Sequence, residues 1–189
     1  MTARSPLFVF LLGLFLVSCG GSTSEVACVE DYWDGTVGVC LPEGWSAVDA
    51  ETLRLRGVPT ETIAAFRAGE PVSGQFPTVT VTAEPLSQVI TPADYSDASI
   101  RSVTGLPGYT LIDEKDMKVD DNDVRLHVFS SQPVEGEPAR RFYQVSTVQG
   151  EYGYTATAAV PTFVSDDIVA QILAVLEGVT FVGEPIEEE

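Results

Sequence analysis

Histidine is all but missing from this chain: His127 is the single one in 189 residues. A catalytic triad or a histidine-built metal centre therefore has one imidazole at most to draw on. His127 stands between Leu126 and Val128, on the strand face of Arg125 and Phe129, and reads as a surface or partly covered strand residue. No G-x-S-x-G, H-E-x-x-H or phosphate-loop glycine pattern occurs. Basic residues are scarce too, ten Lys and Arg against 28 Asp and Glu, with lysine only at 115 and 118. The resulting formal charge of −18 repels nucleic acid and anionic headgroups alike, so nucleic-acid binding is excluded. No internal repeat and no domain-dividing linker interrupts the chain.

The one strongly apolar run, Leu7 to Val17, is eleven residues long. A bilayer core needs roughly 20, so this run reads as the apolar part of a signal peptide that starts with the positive Arg4. It ends in Leu16-Val17-Ser18-Cys19, which resembles the bacterial lipobox. That resemblance implies cleavage before Cys19 and diacylglycerol on its sulfur. At roughly 0.8 kcal/mol per buried methylene, two or three acyl chains hold firmly to a membrane. Gly20 follows instead of Asp, which does not favour inner-membrane retention in a two-membrane cell. The expected location is extracytoplasmic, lipid-anchored to the cell membrane, or to the outer membrane if there are two. Loss of Arg4 with residues 1–18 takes the charge from −18 to −19.

Three cysteines occur. With Cys19 assigned to lipid, Cys28 and Cys40 remain as a pair in an oxidising compartment. A three-residue hairpin loop, Trp33-Asp34-Gly35, would set Tyr32 opposite Thr36, Val29 opposite Val39 and Cys28 opposite Cys40. A two-residue Asp-Gly turn would set Cys28 against Leu41, so the pairing selects the longer loop. Closing so short a ring is worth about 3 kcal/mol on the chain-entropy model. No Cys-x-x-Cys occurs, so the bridge is structural.

Residues 19–27 form the lipidated cysteine and a flexible tether of about 15 Å root-mean-square span. A single domain follows over 28–182, then an acidic tail, 183–189, expected to be disordered. Asp49 caps a short helix ending at Gly57, and Pro59 starts a second ending at Gly69. Thr78 to Ala83 alternates threonine with Val79, Val81 and Ala83, the signature of a strand. Thr91 caps a helix with Pro92 in its first turn. Strands are expected at 109–119, 124–131, 139–148 and 152–160, and their short turns imply an antiparallel meander. Ser165 caps a last helix with the stripe Ile168, Ile172, Val175 and Leu176, terminated at Gly178. A strand over 179–182 closes the domain. The class is α+β: an antiparallel meander covered by α-helices.

Several motifs in order carry a wider resemblance: Leu41-Pro42-Glu43-Gly44-Trp45, Thr80 to Leu86 (TVTAEPL), the helix from Pro92, Leu106-Pro107-Gly108-Tyr109, Arg140-Arg141-Phe142-Tyr143-Gln144 and Tyr154 to Ala158 (YTATA). Together they resemble the PsbP-like α/β/α sandwich superfamily, DcrB-type and LpqN-type bacterial lipoproteins included, over residues 36 to 182. The resemblance implies a non-enzymatic accessory or binding subunit. The disulfide hairpin is no part of that pattern.

Two chemical clusters need weighing. Asp120, Asp121 and Asp123 crowd a turn, and carboxylates suit hard cations, but the spacing is not that of an EF-hand loop; a solvated hairpin is the expectation. Arg140 and Arg141 point to opposite strand faces, so ion pairs are expected in place of an anion pocket. The expected sites are thus lipid attachment at Cys19 and the Cys28–Cys40 disulfide, with no catalytic residue, metal or cofactor. The expected role is a non-catalytic binding or accessory module of the cell envelope, meeting an envelope protein or a small apolar ligand. The alternative is a carboxylate-dependent hydrolase, which needs no local motif; two acids about 5–9.5 Å apart across a cleft would favour it, an apolar groove the binding module.

Overall fold

The computed structural model describes residues 26–55 and 58–182. The expected signal peptide, Cys19, residues 20–25 of the tether, Gly57 and the acidic tail lie outside those residues. The domain is built from β1 (Glu30–Trp33), β2 (Gly38–Leu41), β3 (Trp45–Ala47), α1 (Ala50–Leu55), β4 (Thr62–Ala68) and β5 (Thr78–Pro85), then α2 (Pro92–Val103), β6 (Thr110–Val119), β7 (Asn122–Ser131), β8 (Arg140–Gln149), β9 (Tyr152–Pro161) and α3 (Asp166–Glu177).

Seven strands make one antiparallel sheet in the order β3-β4-β5-β9-β8-β7-β6. The expected meander is its larger half, β6 to β9. The turn between β6 and β7 has two central residues, Asp120 and Asp121, at φ +48° and +62°, the conformation that suits the twist of a two-residue hairpin. Both longer helices start at their expected caps. Thr91 Oγ1 accepts from Asp94 N at 3.1 Å, and Ser165 Oγ from Ile168 N at 3.4 Å. Asp49 caps α1 through Thr52 N at 2.8 Å.

Side-chain alternation gives the sheet two unlike faces. Val79 and Val81 of β5, Tyr143 and Val145 of β8, Leu126 and Val128 of β7, and Ala156, Ala158 and Val160 of β9 share one core with Ile172, Val175 and Leu176 of α3. Val37, Val39 and Leu41 of the small hairpin join that core. Trp45 fixes α3 further, its Nε1 donating to Gln171 Oε1 at 2.8 Å. The residues between them, among them Thr80, Thr82, Thr155, Thr157, Gln144 and Ser146, belong to the opposite face, where α2 lies: Ser146 Oγ donates to Ser99 Oγ of that helix at 2.8 Å.

Three expectations need correcting. Residues 59–69 are not a second helix; they hold β4, paired with β3 on one side and β5 on the other. Ala64, Ala65 and Ala68 are good helix formers, but propensity is a weak prior, and cross-strand pairing with burial of Phe66 outweighs it.

The first hairpin keeps its Cys28–Cys40 disulfide, with Cα atoms 5.4 Å apart, but in another register. Trp33 pairs with Gly38, Tyr32 with Val39 and Asp31 with Cys40. The cause is Asp34, whose Oδ1 accepts from both Thr36 N and Val37 N at 2.8 Å. That Asx turn lengthens the loop to residues 34–37 and turns Val37 into the core. Cys28 reaches Cys40 from the segment before β1.

Residues 179–182 form no strand of the main sheet. Thr180 makes one bridge to Gly38, N–H to C=O in both directions at 2.8 and 2.9 Å. A side chain at position 38 would collide with Thr180 and the Trp33 ring, so the close approach requires glycine.

Candidate binding surface on the polar sheet face

The register brings residues far apart in sequence into rows across the polar face. One row runs Ala65, Thr80, Thr157, Gln144, His127, Glu114 over six strands. The next aligns Thr82, Thr155 and Ser146. Thr80 and Thr82 donate to the carbonyls of Thr157 and Thr155 at 3.4 Å, and Ser146 and Thr155 hydroxyls meet at 2.9 Å. Helix α2 covers part of this face. Its Ser96 Oγ accepts from Arg125 N at 3.2 Å, and its Tyr95 ring fills the space above Gly153, where any Cβ would overlap it.

Beside α2 lies a concavity of about 420 Å³ lined by hydroxyls, amide and carboxylates: Thr82, Ser99, Ser102, Thr155 and Thr157 with Gln144, Glu61 and Glu84. Glu84 Oε1 accepts from Tyr95 OH at 2.8 Å. Burial foremost, with the Glu84 charge adding to it, pushes the Tyr95 phenol up to about 12, against an opposing hydrogen bond with Thr155. A second hollow of about 340 Å³ is lined by Asp97, Asp116, Asp123 and Arg125, with Arg125 Nη1 3.3 Å from Asp97 and 4.0 Å from Glu114. Both are polar, so neither is an apolar groove.

His127 is not a surface residue. It is fully buried, stacked on Phe129 with centroids 4.8 Å apart, and its Nε2 lies 2.9 Å from Tyr109 OH. Burial holds its pKa below the ordinary histidine value; Glu114 and Gln144 oppose that shift, and Arg125 adds to it. His127 Nδ1 and Gln144 Oε1, on cross-strand neighbours, are both buried without a hydrogen-bond partner.

The other candidates separate. Arg140 pairs with Glu137 at 3.2 Å, and Arg141 Nη1 donates to Tyr143 OH at 3.4 Å. Arg140 sits opposite Ser131, at the far end of β7 from Arg125, so the three arginines do not converge. The acidic turn is more than a solvated loop: the Asp120 carboxylate accepts from Thr180 Oγ1 and, at 2.7 Å, from Phe181 N. Asp123 pairs with Lys118 at 3.0 Å. Cys28, Asp31 and Cys40 cluster as metal ligands would, but the disulfide uses both sulfurs. Sequence reasoning missed Gln144, Ser99 and Glu61, which sit on separate elements; the one local signal was threonine alternation in 78–82 and 155–157.

No protein-family model and no curated protein matches the chain. Solved structures do. Cyanobacterial PsbP (CyanoP) from Synechocystis sp. PCC 6803 superposes with a TM-score of 0.55 at 17% identity, covering 88% of this chain and 99% of that one. The fold is PsbP-like. LpqN of Mycobacterium tuberculosis, a protein involved in cell envelope biogenesis, shares it with a TM-score of 0.57 at 10% identity, covering 78% and 85% of the two chains. Among the described residues no helix of this PsbP-like domain is long and apolar enough to cross a membrane.

Proposed function

We propose that this chain is an extracytoplasmic accessory lipoprotein, anchored by lipid on Cys19, whose PsbP-like α/β/α sandwich serves as a non-catalytic binding module of the cell envelope. The observation that carries the reading is the shared fold with CyanoP and LpqN over most of each chain. The lipobox residues Leu16 to Cys19 and the Cys28–Cys40 disulfide, which suits an oxidising compartment, support the location. The polar face beside α2 is the surface assigned to binding, because the opposite face is consumed by α3 and the small hairpin.

Photo-cross-linking in intact membranes tests this reading. A photoreactive residue replacing Ser102 should capture a defined envelope component, and the adduct should vanish when Cys19→Ala releases the domain. An adduct that forms equally well with the unanchored protein would contradict it. The hydrolase alternative rests on Glu61 and Glu84 sharing one concavity. It would replace the accessory reading if purified protein hydrolysed an envelope glycan and both Glu61→Gln and Glu84→Gln abolished turnover.

A further inference from the structure

We infer that the concavity between α2 and strands β5, β9 and β8 is a binding site for a small organic cation of the primary-amine class. This rests on, and sharpens, the reading of the polar face as a binding surface. The two formal charges lining the site, Glu61 and Glu84, are both negative, on a chain of net charge −18. No lysine or arginine lines it, so nothing there would hold a phosphate or carboxylate. Neutral sugars are recognised in part by apolar stacking on an open ring, and the one ring here, Tyr95, is 7% exposed with its hydroxyl committed to Glu84. A bare metal ion is far smaller than about 420 Å³, and no three acidic or histidine ligand atoms converge there among the described residues. An ammonium group supplies three donors, and hydroxyl and carboxylate oxygens accept them.

The second observation is Gln144. It lines the concavity at 7% exposure, and its Oε1 has no hydrogen-bond partner. Burying an acceptor unsatisfied is costly, and few such groups occur without a reason. The two ends of an amide are interchangeable in space. With Oε1 turned into the concavity it accepts from the ligand ammonium. Its amide nitrogen then donates to His127 Nδ1, and His127 Nε2–H donates to Tyr109 OH. One rotation satisfies both orphaned atoms, and it fixes the histidine tautomer to the occupied state.

The test is NMR titration of the disulfide-bonded domain with 1,4-diaminobutane at physiological salt, with glucose and inorganic phosphate in parallel. Saturable shifts confined to Thr82, Ser99, Gln144 and Thr155 are expected with the diamine alone, together with a His127 side-chain ¹⁵N pattern that moves to the Nε2–H tautomer. Glu61→Gln/Glu84→Gln should weaken the diamine at least tenfold, whereas Glu43→Gln/Glu70→Gln, exposed acids elsewhere, should leave it unchanged. Shifts spread over surface carboxylates, equal weakening by both double variants, or saturable binding of glucose or phosphate instead would overturn the proposal. A membrane cross-link that persists while the diamine fails to bind would reject the amine site and leave the accessory reading standing.

Discussion

At the scale of single residues, the stored tensions lie on the polar face. His127 is buried with a depressed pKa, so the unfolded chain, with its histidine near the ordinary value of about 6.5, takes up a proton first. The contribution to stability is therefore complete above about pH 6.5 and is lost as pH falls toward the folded pKa, at no more than about 1.4 kcal/mol per pH unit. Because His127 is the only histidine, urea unfolding between pH 7.5 and 5.5 should isolate this slope, and His127→Phe should flatten it. An unchanged slope in the variant would assign the effect to carboxylates. Gly153 is the second such residue. Gly153→Ala places a methyl group inside the Tyr95 ring, and overpacking of this kind costs about 1–3 kcal/mol. Hydrogen exchange should show faster amides in α2 and little change in α3.

Elements differ in how far their own residues specify them. Strands β5 to β9 and helices α2 and α3 were legible because each carries its signal locally, alternation in the strands and a capping hydroxyl before the helices. Strand β4 was not, since Ala64, Ala65 and Ala68 look helical until β3 and β5 are set on either side. The hairpin register escaped because one carboxylate, Asp34, adds a residue to the loop. The polar face was invisible as a site for a related reason: alternating threonines announce a strand, and only the pairing of β5, β9 and β8 puts them beside Gln144 and under α2. The two clasps on the hairpin end give separate predictions. Cys28→Ser/Cys40→Ser should lower unfolding free energy by about 3 kcal/mol. Asp120→Ala removes the acceptor for Thr180 and Phe181 and should cost roughly 2 kcal/mol, the scale of a hydrogen bond to a charged group. Asp120→Asn tolerates the positive φ of +48°, so it should recover the turn and only part of the loss; full recovery would mean the carboxylate charge is irrelevant.

For the whole molecule, the account joins a PsbP-like domain to a lipid-bearing N-terminus, and the acidity of the domain gives that join a physical purpose. A chain of charge −18 is repelled by anionic headgroups, and no described helix can span a bilayer, so residence at a membrane depends on acyl chains at Cys19. The central claim is then most directly tested by mass spectrometry of the N-terminal peptide of the protein recovered from the membrane fraction of its native host. The account predicts a peptide that begins at Cys19 and carries a diacylglyceryl thioether. A mature N-terminus at any other residue, or an unmodified Cys19, would contradict it.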